Sequence, residues 1–212
     1  MKLETEAYLE QQARWPRQGR HILAQYNDTS VVVYQAYNRS IGHFAARNGY
    51  FGGSFSLSRM SWVKPNFLWM MYRCGWASKH NQEVVLAVRL KRAAFDKILT
   101  QAVHSNYVEE VYSSHAAWKQ VSEDGDTRLQ WDPDHDPKGQ KVERRAIQLG
   151  MRGPTLARYA REWLLDIEDI SDFVREQYEH VLSGDYDRLL TPREMVYPVA
   201  DPQVAARLGL AL

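Results

Sequence analysis

The chain has 212 residues, 44% of them hydrophobic and 25% charged, with a formal net charge of +1. That is enough apolar material for one large domain with a proper core, and a balanced total charge argues neither for nor against nucleic acid. The lone cysteine, Cys74, excludes an internal disulfide framework and suits a reducing cytoplasm. The start, "MKLETEAYLE", has no apolar run of the kind a signal peptide needs. No stretch approaches the roughly 18 apolar residues of a membrane span, so a membrane partner is not expected.

In chain order, "HILAQY" and "VVVYQAY" are β-rich runs separated by "NDTS", which predicts a hairpin or closely paired strands. "SIGHFAARNG" follows as a short helix with Ser40 as N-cap and Gly49 as a left-handed stop. "YFGGSFSLS" reads as a loop entering a strand. Pro65 suits the first position of a helix that Gly75 ends. "EVVLAVRL" is the clearest buried strand, and "RAAFDKILTQAVH" has Ala94, Ile98 and Ala102 at helical spacing. Residues 105–122 fit helix or strand equally. "EDGDT" predicts a turn, "RLQW" a strand, "DPDHDPKGQ" an exposed loop and "RRAIQLGM" another strand. From about Pro154 to Leu182 the pattern is helical, then irregular around Pro192, Pro198 and Pro202. The expectation is a single α+β domain over 1–212, sheet-rich over about 20–150 and helical over about 154–190. Its sheet should be mixed or antiparallel rather than doubly wound.

Local charge says more than the total. Residues 29–82 contain no Asp or Glu, yet hold Arg39, Arg47, Arg59, Lys64, Arg73 and Lys79. Buried cations need an anion from somewhere, either an acid from the second half of the chain or a bound ligand. Within this block, "RMSWVKPNFLWMMYRCGW" carries three of the seven tryptophans together with Arg59, Lys64 and Arg73. On a helix from Pro65, Phe67, Met70, Met71 and Cys74 form an apolar stripe that belongs in the core. Asn66, Trp69, Arg73 and Trp76 form a second stripe. It is either packing with a cation–π contact or a platform for a base or nicotinamide ring with an arginine on a phosphate. Arg59 and Lys64 flank the helix start, where backbone N–H groups also favour an anion.

Other constellations are weaker. Asp132, Asp134, His135 and Asp136 in "DPDHDP" offer oxygen ligands but lack EF-hand spacing, so a solvated turn is expected. The seven histidines show neither H-x₃-H nor HExxH spacing, and no metal is expected. There is no G-x-S-x-G elbow and no phosphate loop. Cys74, surrounded by Phe67, Met70 and Met71 at helical spacing, reads as a packed thiol.

With "VVVYQAYN", "RMSWVKPNFLWMMYRCGWASKHNQEVVLAV" and "LQWDPDHDPKGQKVERRAIQLGMRG" on the page, the chain resembles the family called domain of unknown function 4291 along nearly its whole length. That resemblance implies a single-domain, mostly bacterial, intracellular protein and assigns no catalytic residues. The layout is also similar to the ADP-ribosyltransferase fold. There the first strand carries an Arg or His that holds NAD, where this chain has Gln35. An aromatic followed by Ser-x-Ser is matched by "FSLS", with Ser56 and Ser58. A late-strand glutamate, which stabilises the oxocarbenium-like transition state, is answered by Glu143 just before the strand or Gln148 within it. The resemblance therefore implies an NAD-dependent transferase acting on a nucleic acid or protein. Arg59, Lys64 and Arg73 would hold the pyrophosphate, Trp69 or Trp76 would stack a ring, and Ser56 and Ser58 would position the ribose. The same cations and tryptophans also suit a non-catalytic groove for single-stranded nucleic acid. Either way the expected partner is an anionic ligand.

Overall fold

The structure is a computed structural model that describes residues 3–210; positions 1, 2, 211 and 212 of the expected domain lie outside the described residues. The elements run β1 (Thr5–Ala7), α1 (Tyr8–Arg14), β2 (Gly19–Arg20), β3 (Leu23–Ala24), β4 (Ser30–Tyr37) and α2 (Arg39–Asn48). Next come β5 (Ser61–Val63), α3 (Phe67–Cys74), β6 (Val84–Lys91), α4 (Arg92–Gln101), β7 (Val103–His104), α5 (His115–Asp124), β8 (Thr127–His135) and β9 (Lys141–Met151). The chain continues through α6 (Gly153–Arg161), β10 (Leu164–Asp169), α7 (Ser171–Ser183), β11 (Leu190–Pro192), β12 (Met195–Val196) and α8 (Pro202–Leu208). This is a mixed α+β fold with interspersed helices. Among the described residues, no helix is long and apolar enough to cross a membrane.

Two sheets organise the molecule. The first is antiparallel, in the order β10-β6-β4. Its strands β4 and β6 are buried on both faces, which is why they read as near-continuous apolar runs. Successive side chains point to opposite faces. Val31, Val33, Leu86 and Val88 therefore enter one core cluster, while Val32, Tyr34, Val85 and Ala87 enter another. Phe95, Ile98 and Leu99 of α4 fill the first cluster; Phe67, Met70 and Met71 of α3 and Val174 of α7 fill the second. The second sheet runs β2-β9-β8-β7, with β5 also pairing β9.

Among the described residues, the two sheets meet at a single backbone bridge. Tyr34 and Lys64 exchange mutual N–H···O=C bonds of 2.7 and 3.1 Å. Beyond them β4 and β5 part, and the side chain of Gln35 spans the gap. Its Nε2 lies 2.9 Å from Ser61 Oγ and 3.1 Å from the Trp62 carbonyl oxygen.

Several expectations shift. Asn38, not Ser40, caps α2, because its Oδ1 accepts from the Ile41 N–H and from the Ser40 hydroxyl. Gly49 and Gly75 are the left-handed stops expected of them, with φ of 72° and 60°. Pro65 precedes the helix cap rather than opening the helix, since Asn66 accepts from the Trp69 N–H. Residues 164–169 are not helix but β10, the edge strand on β6, so the C-terminal third is not wholly helical. "DPDHDP" is not a solvated turn: β8 runs through His135, and Asp134 is buried against Arg144, whose Nη2 lies 2.6 Å from the carboxylate.

The start of α3 carries a buried carboxyl group, and the chain supplies it. Glu194 is buried, accepts from the Phe67 N–H at 2.6 Å and from Asn66 Nδ2 at 3.1 Å, and so satisfies a helix-end donor. Burial pushes its carboxyl well above the ordinary range, with the Phe67 N–H opposing that rise. Glu194→Ala should destabilise the protein by about 1–3 kcal/mol, because it leaves a buried N–H without a partner. Glu194→Gln, which keeps an acceptor oxygen, should cost less; urea denaturation of both variants checks the order.

Candidate functional site

The parting of β4 and β5 opens a cavity of about 530 Å³. β4 contributes Gln35 and Tyr37, β5 contributes Ser61 and Trp62, α3 contributes Met70 and Arg73, and β8 and β9 contribute Gln130 and Gln148. Ala36, Arg59, Met60, Lys64 and Gln82 complete the wall. A neighbouring cavity of about 320 Å³, with Ser56 in its wall, shares Tyr37, Arg59, Met60 and Ser61 with the first. Arg59 and Arg73 are exposed at the rim, while Lys64 is buried, with 6% of its surface exposed. Five of the ten site residues expected from sequence, Gln35, Arg59, Lys64, Arg73 and Gln148, line this one cavity.

Its electrostatics follow from what is missing around the cations. No carboxylate lines the wall. Among the described residues, the side chains of Arg59, Lys64 and Arg73 make no hydrogen bond or ion pair, although the chain pairs its buried Arg144 with Asp134. The Lys64 ammonium instead stands 5.6 Å from the centroid of the Trp69 ring. Burial lowers Lys64 from the ordinary 10.5 to about 8; nearby Arg73 adds to the fall and Asp132 opposes it.

The amide wall is arranged by strand pairing. Gln130 and Gln148 are direct cross-strand partners, and Asp132 follows two positions after Gln130 on the same face. Both amides donate to Asp132, Gln130 to Oδ1 and Gln148 to Oδ2, each at 2.8 Å. Gln35 is held on all sides. Its Nε2 also reaches Tyr37 Oη at 2.7 Å, and its Oε1 accepts from Tyr159 Oη at 2.6 Å. It therefore braces the cleft with few hydrogen-bonding valences left for a ligand.

The other expected site residues lie elsewhere. Trp69 is buried behind Lys64, in T-shaped contact with Tyr72 and His135, and does not line the cavity. Trp76 follows the left-handed Gly75 and leaves the helical stripe altogether; it stacks on Tyr178 and donates Nε1–H to the Pro137 carbonyl. Ser56 and Ser58 sit in the loop before β5 with their hydroxyls 3.0 Å apart, and only Ser56 reaches the adjoining cavity. Glu143 is an exposed residue inside β9, where the β8–β9 register shifts. At a rise of about 3.3 Å per residue it stands roughly 16 Å along the strand from Gln148, beyond side-chain reach. Sequence reasoning missed Tyr37, Ser61, Trp62, Gln82 and Gln130. The "MSWV" alternation carried a signal for Ser61 and Trp62, whereas Gln82 and Gln130 carried none without the sheet register.

Two tests follow from this geometry. Arg73 touches no acid, so Arg73→Ala should weaken pyrophosphate binding by about 1.5–3 kcal/mol, the range for a charge-assisted hydrogen bond. It should cost the fold less than Phe67→Ala, which opens a core cavity; calorimetry and urea denaturation separate the two effects. Lys64 gives a pH signature. Between about pH 8 and 10.5 the folded chain has released a proton that the unfolded chain still holds, so stability rises with pH across that window. The displacement is worth on the order of 3 kcal/mol. Lys64→Met should abolish this rise, which denaturation at about pH 7.5 and about pH 10 would show.

Comparison with known proteins gives a family without a reaction. No curated protein matches the chain. A family model described as a domain of unknown function (DUF4291) matches residues 21–197, and the chain belongs to that family.

Proposed function

We propose that the cleft between the two sheets binds a dinucleotide, NAD foremost, and that the protein is an ADP-ribosyltransferase-like enzyme acting on a nucleic acid or protein acceptor. One observation carries this reading: Arg59, Lys64 and Arg73 converge on one cavity and none of them has an acidic partner among the described residues. A pyrophosphate is the dianionic group that such a set satisfies, and arginine matches its geometry with paired N–H donors. The volume lies within the range of small-molecule sites. Tyr37, Ser61, Gln82, Gln130 and Gln148 supply neutral donors and acceptors suited to ribose hydroxyls, and Trp62 supplies a partly open ring. The lone thiol, Cys74, is buried, in keeping with a cytoplasmic setting.

Since no carboxylate lines the cavity, negative charge for an oxocarbenium-like transition state has one source close by, Asp132 behind the two amides. Gln148, at the position the resemblance gives to the glutamate, would pass that charge on by polarisation of its amide. The alternative, a groove for single-stranded nucleic acid, is disfavoured because neither Trp69 nor Trp76 lines the cleft, which leaves Trp62 as its one tryptophan rather than a run of stacking platforms.

A thermal-shift series with NAD, ADP-ribose, pyrophosphate and a short oligonucleotide tests binding. NAD and ADP-ribose should stabilise the protein, by about 2.7 kcal/mol at a hundredfold excess over Kd. Stabilisation by the oligonucleotide and not by NAD would overturn the reading. For the reaction, Asp132→Asn should abolish single-turnover cleavage of NAD while NAD still stabilises the fold, the signature of a group acting in the transition state. Glu143→Gln should leave the rate unchanged.

A further inference from the structure

We infer that Lys64 is a nucleophilic amine, and that the cavity takes phosphorylated aldehydes, such as the open-chain form of ADP-ribose, as reversible imines. The inference rests on the reading of this cleft as a phosphate site and adds a covalent chemistry to it. Three features of the geometry carry it. Lys64 is buried yet lines the cavity, its ammonium makes no hydrogen bond or ion pair among the described residues, and Trp69 shields one side of it. Other buried cations have acceptors, Arg144 in Asp134, Arg89 in the Ser30 hydroxyl and Arg128 in the Gly125 and Thr127 carbonyls, whereas Lys64 has none among the described residues. Lysine amines become nucleophiles when they are desolvated or placed beside a second cation, and Lys64 is both. The fall to about 8 leaves about a tenth of the amine neutral at pH 7, far more than an ordinary lysine has. The charged or titratable groups around it are Arg73 and Cys74 from α3, Asp132 from β8, Tyr37 from β4 and Arg59 from the loop before β5. Arg59 and Arg73 at the rim leave the phosphate outside and the carbonyl end inside, toward the amine.

The step balances without any further reagent. The Nζ lone pair forms a bond to the aldehyde carbon, and the carbonyl π pair moves to oxygen. That oxygen takes the proton which nitrogen sheds, giving a carbinolamine. Loss of its hydroxyl together with the second nitrogen proton, as one water, leaves the imine. Amine plus aldehyde thus become imine plus water. Attack needs the neutral amine, so imine formation should rise with pH through the Lys64 midpoint and level off above it.

Pyridoxal 5′-phosphate with borohydride reduction, followed by peptide mapping, tests the inference on the whole protein. The expected result is that Lys64 is modified at lower probe concentration than the exposed Lys91, Lys97 and Lys119, with inorganic pyrophosphate suppressing the label at Lys64 alone. Lys64→Arg should lose that adduct. Labelling confined to the surface lysines would overturn the proposal, as would equal labelling of Lys64 by pyridoxal, which lacks the phosphate. Pyrophosphate stabilisation of the wild-type fold is read in parallel. If it persists while Lys64 stays unlabelled, the amine chemistry fails and the anion site stands. If it is absent, the reading of the cleft fails as well.

Discussion

The mutual backbone bonds between Tyr34 and Lys64 are the constraint on which the rest of the molecule depends. Among the described residues, they join the β10-β6-β4 sheet to the sheet built on β9 at one point only. Had β4 and β5 continued to pair, residues 35–37 and 61–63 would have formed an unbroken ladder. Instead Gln35 bridges them by its side chain, tied to Ser61, Trp62, Tyr37 and Tyr159. An amide side chain is longer than a backbone hydrogen bond, so the strands splay and a cavity opens. The same bridge fixes Lys64 at the cavity floor, where its charge has nowhere to hide.

Charge is then distributed in a way that separates structure from site. Two internal cationic or dipolar centres receive acids from the chain itself: Arg144 takes Asp134 from the neighbouring strand β8, and the N-terminus of α3 takes the sequence-distant Glu194. Leaving a buried charge alone is costly, and these pairings show the fold solving that problem where it has no ligand to rely on. In the cleft it does not. Asp132 is near enough to oppose the fall in the Lys64 pKa, but its oxygens are occupied by Gln130 and Gln148. The cavity's cations are thus left without an acidic partner among the described residues, and that is the physical basis of the phosphate site proposed.

Much of this was legible in the sequence, and the parts that were not have identifiable causes. β6 announced itself as an apolar run, β9 by the alternation in "RRAIQLGM", and α4 by the helical spacing of Ala94, Ile98 and Ala102. The acid-free block of residues 29–82 pointed to the cations that line the cleft, because charge segregation survives folding when one loop and one helix carry it. The C-terminal third was misread because "LLDIED" carries its charges at spacings a helix also tolerates, and only pairing with the edge of β6 decides for a strand. Trp76 was misplaced because one left-handed glycine ends the helical register on which the stripe relied. Asp134 and His135 looked like turn residues, yet a strand carries them inward to meet Arg144 and Tyr72, partners remote in sequence or invisible to local pattern. Gln130 and Gln148 come together only through the β8–β9 register, which no local pattern encodes.

The central claim is that Lys64 is a buried, unpaired cation awaiting an anion, and a titration of its Cε and Nζ resonances with and without pyrophosphate tests it most directly. The account predicts a midpoint near 8 for the free protein, moving upward when pyrophosphate binds, since a bound anion favours the charged form. A midpoint at the ordinary lysine value of about 10.4 that pyrophosphate does not move would contradict it.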